Sequence, residues 1–276
     1  MRTASPLRYP GGKATLAGRL TEIRRLNRLG SMPFAEPFAG GAGAALTLLL
    51  REEAKSILIN DADPAIAAMW WAMMNRADEF IQKLRDVPVT IEEWVAQRAL
   101  YKSADASRLE RGFAAFYLNR TNRSGVIVNG GPIGGHEQAG TWKLDARFNR
   151  EDLTRRCMRI SGYGNRIAVS DDDGQSFVER VGTKSIFMFI DPPYFGKGPL
   201  LYLNGVDAAY HRSLASTLHV REELPWVLTY DDCPEIRELY EDWARVQPYS
   251  LRYSAAERRN GKEVMITPRW MVLPAA

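Results

Sequence analysis

Residues 31–53 read SMPFAEPFAGGAGAALTLLLREE. An apolar run reaches Glu36, a loop follows with Gly40, Gly41 and Gly43, and an apolar helix-forming run closes the stretch. The pattern predicts a strand, a glycine loop and a helix. Glycines let the backbone turn sharply and lie close to a ligand, and a helix N-terminus offers free N–H groups. The spacing departs from the full dinucleotide fingerprint, so taken alone the loop serves equally well as a structural strand-to-helix turn.

The run SILIND (56–61) predicts a second strand ending in Asp61. An acid about twenty residues past such a loop accepts hydrogen bonds from ribose hydroxyls in nucleotide folds. Asp61 also suits a helix N-cap, a role open to Asp63. Loop and acid together point to an adenosine-containing ligand. Helical spacing marks 64–84, 91–103, 107–120, 150–163, 211–223 and 234–243; buried-strand runs mark 166–170, 185–190 and 226–230. Residues 247–268 predict two strands around an Asn260-Gly261 turn, and 121–142 a glycine-rich loop or hairpin too long for a plain connector. Strands alternate with helices at both ends and are missing from the middle. The expected fold is therefore α/β, a Rossmann-like sheet with helices on both faces. One discontinuous domain (1–63 and 161–276) carries a helical insertion (64–160).

At 276 residues the chain can build a substantial core, and no apolar run approaches the roughly 20 residues that span a membrane. MRTASPLRYPGGK at the N-terminus lacks the apolar centre of a signal peptide. Cys157 and Cys233 form no CxxC pair, which favours a reducing cytoplasm. His136, His211 and His219 form no metal-binding pattern, so no metal is expected. The formal charge is +4, and arginines crowd between Arg108 and Arg166 with few acids among them. That crowding fits a polyanionic partner or a solvated basic face. RYPGGK resembles a phosphate loop but fails it: Leu7 stands where a glycine is needed, and Ala14 where Ser or Thr is needed.

The run SIFMFI leads into Asp191-Pro192-Pro193-Tyr194. The carboxyl end of a buried strand is where open α/β sheets hold ligands, although a strand-ending turn is the alternative. Asp191 can accept a hydrogen bond from an amino group. The prolines fix a carbonyl that can accept a second one, and Tyr194 can stack on a planar base. An amine held this way loses conjugation with its ring and exposes a lone pair.

Taken in order, YPGGK, EPFAGGAG, ILIND, YLNRTNRSG, DPPY and GKEVMI resemble the Dam-type DNA adenine methyltransferases, D12 class, alpha group; the segments run from about residue 7 to 267. The resemblance implies a cytoplasmic, bacterial or phage-encoded monomer acting on double-stranded DNA, with a restriction-modification, phage-borne or regulatory setting all open. It implies methyl transfer from S-adenosyl-L-methionine to the N6 amine of a flipped-out adenine, leaving S-adenosyl-L-homocysteine. It implies a catalytic Asp191, Pro192, Pro193 and Tyr194. Tyr9, Gly11, Gly12 and Lys13 would help form the cofactor pocket. Glu36, Pro37, Phe38, Gly40 and Gly43 would line its methionine part, Asp61 its ribose, and Asp173 its adenine. The Asp-Phe pair expected at Asp173 is absent, and three consecutive aspartates blur the match. Arg120, Asn122, Arg123 and Ser124 would contact DNA, with loop capping and surface charge as alternatives. Arg252, Arg258 and Lys262 would reach phosphates or form a solvated turn. His211 is read as packing or capping. The rival readings are a methyltransferase acting on RNA or a protein amide, and a DNA-binding module with a decayed site.

Overall fold

A computed structural model of the chain describes residues 4–8, 13–182, 185–195, 207–249 and 263–275. Among these residues one sheet gathers β1 (Phe34–Glu36), β2 (Ile57–Asn60), β3 (Ile167–Ser170), β4 (Phe187–Ile190), β5 (Trp226–Asp231), β6 (Ala244–Tyr249) and β7 (Glu263–Pro268). The spatial order is β3-β2-β1-β4-β5-β7-β6. The first five strands are parallel, and β7 is antiparallel to both neighbours. The expected Rossmann-like α/β fold is present. Of the two strands expected within 247–268, β7 forms at Glu263–Pro268, while its partner β6 begins earlier, at Ala244, and ends at Tyr249; Asn260-Gly261 lies outside the described residues.

Central parallel strands are covered on both faces, so they read as apolar runs rather than alternations. Successive side chains still point to opposite faces. Phe34, Ile57, Ile59, Phe187 and Phe189 enter one core, while Ala35, Met188, Ile190 and Leu228 enter another. Helices cover both faces. α1 (Ala17–Leu26), α2 (Gly43–Leu50) and α3 (Pro64–Asn75) contribute to the first core. Beyond them lie α4 (Ala77–Asp86), α5 (Ile91–Lys102), α6 (Arg108–Thr121) and α7 (Arg150–Ser161). α8 (Gly174–Val181), α9 (Ala208–His219) and α10 (Pro234–Tyr240) cover the second.

Two helices, α1 and α8, are absent from the pattern-based expectation. α1 carries a buried charge: Arg24 sends its guanidinium to the carbonyls of Leu29, Gly30, Met32 and Glu53, and so fixes the turn that feeds β1. The single helix expected over 64–84 is two. It breaks at Arg76 (φ −137°, ψ 43°). α3 is buried almost all round, whereas α4 buries only Phe80, Ile81 and Leu84. One straight helix could not serve both burial patterns.

The helices of 64–161 have no core of their own. Trp70, Phe80, Phe113, Phe116 and Leu153 join Phe34 and Ile59 in a single apolar cluster, with α3 packed on β3 and α6 along α3. Residues 122–149 are irregular, with short turns at Arg123–Gly125 and Leu144–Arg147 and a bridge from Asn122 to Pro132.

The functional consequence lies in the strand order. β1 leads off to β2 on one side, and its neighbour β4 leads to β5 on the other. A crevice opens where neighbouring strands diverge this way, above their carboxyl ends. Glu36 ends β1 there, and Asp191 follows β4 there.

Candidate active site

The glycine loop is held open by a set of specific ties. Gly40 (φ 46°) and Ala42 (φ 47°) both occupy the left-handed region. That conformation strains an alanine by roughly 1–2 kcal/mol and persists only where surroundings impose it. Here they do. The Ala39 N–H donates to the Asn60 carbonyl at 2.8 Å, and the Gly40 N–H to Asp61 Oδ2 at 2.7 Å. The buried Trp70 indole donates to the Gly40 carbonyl at 2.9 Å.

The helix after the loop does not present an empty N-terminus. The Ala45 N–H donates to Glu36 Oε1 at 2.8 Å, so β1 supplies a carboxyl cap to α2. A phosphate placed there would meet that carboxyl. Burial pushes Glu36 up to about 8, and Asp191 nearby adds to the rise. Burial likewise pushes Asp61 to about 7, against the opposing Asp63 and Gly40 N–H donors. Of the two acids in this turn, Asp63 is the N-cap of α3, accepting from Ala65 at 2.8 Å. Asp61 is thereby left over the loop.

Asn60 was not singled out by sequence, yet it joins three loop ends. Its amide donates to the carbonyls of Pro37 and Asp172, and its oxygen accepts from Ser170 and Asp172. The three aspartates after β3 separate by partner. Asp171 lies 3.6 Å from Arg108, and Asp172 pairs with Arg180. Asp173 caps α8 by accepting from Gln175 and Ser176. Gly174 stands where the resemblance leads one to expect an aromatic. A Cβ there would fall 2.3 Å from the Phe38 ring, so Phe38, coming from the β1 loop, fills that place.

Asp191-Tyr194 sits in the most connected part of the crevice. Thr229 of β5 donates to Asp191 Oδ1 at 2.6 Å, and Lys13 Nζ lies 3.5 Å from the same oxygen. Asp191 is about a quarter exposed. Burial raises its pKa, and the Lys13 charge and the Thr229 hydroxyl oppose that rise. Lys13 also donates to the Tyr194 hydroxyl and lies 3.3 Å from Glu263 Oε2. Tyr194 in turn donates to Glu263 Oε1 at 2.8 Å. Pro192 is buried and Pro193 half-buried. Sequence reasoning missed Thr229 and Glu263; the quoted GKEVMI segment contains Glu263 but assigns it nothing. Beside this site, His211 is buried, its Nδ1 2.7 Å from the Tyr230 hydroxyl, which agrees with its packing reading.

Tyr9, Gly11, Gly12, Arg252, Arg258 and Lys262 lie outside the described residues. The other residues expected at DNA divide. Asn122 is fully buried: it accepts from the Trp94 indole at 2.7 Å and donates to the Val126 carbonyl at 2.7 Å. That corrects its reading as a DNA contact, since a side chain committed inside the fold reaches no duplex. Arg120 is half-buried, and its guanidinium binds the carbonyls of Arg147 and Pro6. Burial, with Arg8 and Arg156 nearby, lowers its pKa to about 10. Arg123 and Ser124 are exposed, Ser124 at φ 55°. Trp142, in the same irregular segment, is 65% exposed with the Arg147 guanidinium over its ring.

The crevice suits a cation. Buried Glu36 and half-buried Asp61 and Asp191 supply its carboxyls, and the helix N-terminus that would favour an anion is already capped. This fits the sulfonium and ammonium groups of S-adenosylmethionine and disfavours a nucleotide phosphate. Among the described residues, no group of three or more His, Cys, Asp or Glu is placed to hold a metal ion, and no helix is long and apolar enough to cross a membrane. The family model of the D12 class N6 adenine-specific DNA methyltransferases matches residues 9–255. The chain is also similar to the Type II methyltransferase M.MjaIII of Methanocaldococcus jannaschii, at 23% identity over 201 residues covering 68% of each chain.

Proposed function

The chain belongs to the D12 class N6 adenine-specific DNA methyltransferases, and from that premise we propose how its residues divide the work. The family methylates adenine in DNA. S-adenosylmethionine supplies the electrophilic methyl group. Asp61 is the acceptor for the ribose hydroxyls, Glu36 the partner of the cationic methionine end, and Phe38 the apolar wall. Pro37, Gly40 and Gly43 shape that wall, and Asp173, at the β3 end of the crevice, is our choice for the cofactor adenine.

The target adenine is turned out of a duplex, at a cost of a few kcal/mol, and stacks on Tyr194. The carboxylate of Asp191 accepts one N6 proton and the Pro192 carbonyl the other. The nitrogen lone pair is thereby freed and aimed along the transfer line. As the N–C bond forms, the amine becomes cationic, and Asp191 is placed to take the proton it sheds. Positioning and charge complementarity supply most of the rate. The observation that carries this reading is the placement of Asp191 beside Glu36 at the diverging ends of β1 and β4. A cationic methyl donor and a neutral amine would meet there.

Residues 64–160 are proposed as the target-recognition insertion, seated on the sheet by its shared core. Arg123 and Ser124 at its surface, with Trp142 over Arg147, are its candidate DNA contacts. Of the residues outside the described ones, Tyr9, Gly11 and Gly12 are proposed as cofactor-pocket residues and Arg252, Arg258 and Lys262 as phosphate contacts, on the resemblance alone. The chain acts as a monomer, and the Type II relative supports a restriction-modification setting. Methyl transfer assayed in parallel on duplex DNA, RNA and protein tests the substrate class. The proposal predicts label on N6 of adenine in duplex DNA alone.

A further inference from the structure

We propose that Glu263 is a positioning residue for methyl transfer. Its buried carboxylate holds the Tyr194 hydroxyl and the Lys13 ammonium, and so sets the stacking ring and the charge beside Asp191. The inference rests on the adenine-methylating reading of Asp191-Tyr194.

The sheet explains how Glu263 reaches the site. β7 runs against the five parallel strands, so its first residue lies at the edge where they end. Glu263 is in register with Asp231 at the end of β5 and with Tyr249 at the end of β6. Its side chain is 4% exposed and collects three donors. Tyr194 donates to Oε1 at 2.8 Å, and Lys13 approaches Oε2 at 3.3 Å. Tyr249 also donates to Oε2. A buried carboxylate is costly unless it is paired and hydrogen-bonded, and this one is both.

Two effects follow. First, the Tyr194 ring is held from its far end. Lys13 donates to the hydroxyl and the hydroxyl donates to Glu263, which fixes both ring height and tilt where a base would stack. Second, Lys13 stands between two acids, Asp191 at 3.5 Å and Glu263 at 3.3 Å. The three groups carry one net negative charge when ionised. That charge complements the positive charge passing from sulfur to nitrogen. A neutral residue in place of Glu263 would leave Lys13 to Asp191 alone.

The test is Glu263→Gln in the full enzyme, assayed for single-turnover methyl transfer to duplex DNA across pH. S-adenosylmethionine affinity is measured by calorimetry. Asp191 faces Lys13, Glu263 and Glu36, and the hydroxyls of Thr229 and Tyr194. Removing the Glu263 charge leaves Lys13 less shared, so Asp191 ionises more readily. The expected result is a transfer rate lowered about tenfold or more, cofactor affinity within a few fold of the parent, and an acidic limb moved to lower pH. Combined with Tyr194→Phe, the losses should be less than additive. A parental rate overturns the proposal, as does a lowered rate with an unmoved limb and additive losses. If the Gln variant does not fold, Tyr249→Phe decides. It removes one donor and keeps the charge, and a rate loss of about twofold to tenfold is expected. A parental rate in that variant overturns the proposal. A parent enzyme that transfers nothing to duplex DNA in the same assay overturns both this inference and the reading beneath it.

Discussion

Thr229 donates its hydroxyl to Asp191 Oδ1 at 2.6 Å, and Lys13 lies 3.5 Å from that same oxygen. One carboxylate oxygen is thus committed to the protein, which leaves Oδ2 for the substrate amine. Thr229 is fully buried on β5, so its contribution is orientation. Thr229→Val keeps the shape and removes the donor. The expected loss in kcat is about 10- to 100-fold, the range for a hydrogen bond to a charged group. Cofactor affinity should stay near the parent value. Because that hydroxyl holds the Asp191 pKa down, the acidic limb should move to higher pH, opposite to Glu263→Gln. Thr229→Ser should recover most of the rate. A pH–rate profile of the three proteins checks all of this.

Cofactor binding should depend on pH through two acids. Asp61 sits at about 7 and Glu36 at about 8, both raised by burial. Each is needed as the carboxylate, Asp61 to accept from hydroxyls and Glu36 to face a cation. S-adenosylmethionine affinity should therefore fall as pH drops through 8 and then 7, by up to about tenfold per unit below each value. Asp61→Asn should remove the lower step and leave the upper one. The sign for the ligand-free fold is the reverse. An acid whose pKa is raised by folding costs stability once the unfolded chain can ionise, so thermal stability should decline from about pH 4 toward 8. The cofactor should reverse that decline. Calorimetry from pH 5.5 to 9 measures the binding, and melts with and without cofactor measure the stability.

Arg120 and Arg123, three residues apart, should fail in different ways. Arg123 is exposed, and Arg120 ties the Arg147 and Pro6 carbonyls together. Arg123→Ala should weaken DNA binding with the melting temperature unchanged and lower the salt slope by about one. Arg120→Ala should lower stability by about 1–3 kcal/mol, because it removes the charged hydrogen bonds that tie Arg147 to Pro6. Salt-dependent DNA titrations beside thermal melts separate the two.

The fold was legible where physics writes it locally. The glycine loop, the second strand with its acid, and the apolar run before Asp191 each carry their own pattern, and the strands form within a residue or two of where those patterns lie. Asp61 and Asp63 were indistinguishable in sequence, since either suits a cap. Only the geometry shows that Asp63 took that role. Asn122 misled for a related reason: a polar residue just past a basic helix end looks alike whether it faces solvent or braces the fold from inside. Thr229 and Glu263 could not be read at all. Their meaning depends on β5 lying beside β4 and on β7 running antiparallel, so that residues 38 and 72 positions from Asp191 meet it at one edge. Gly174 carried a partial signal as a missing aromatic, but Phe38, the side chain that replaces it, comes from a loop far away in sequence.

Asp191 is where the account is most exposed. In Asp191→Ala the cofactor acids Glu36 and Asp61 stay, while the acceptor for the adenine amine, and with it the partner of Thr229 and Lys13, is lost. Transfer of tritiated methyl from S-adenosylmethionine to N6 of adenine in duplex DNA, measured beside calorimetric cofactor binding, decides the matter. The expected transfer is lowered by about a thousandfold or more, with cofactor affinity within roughly tenfold of the parent. Near-parental transfer by that variant would contradict it.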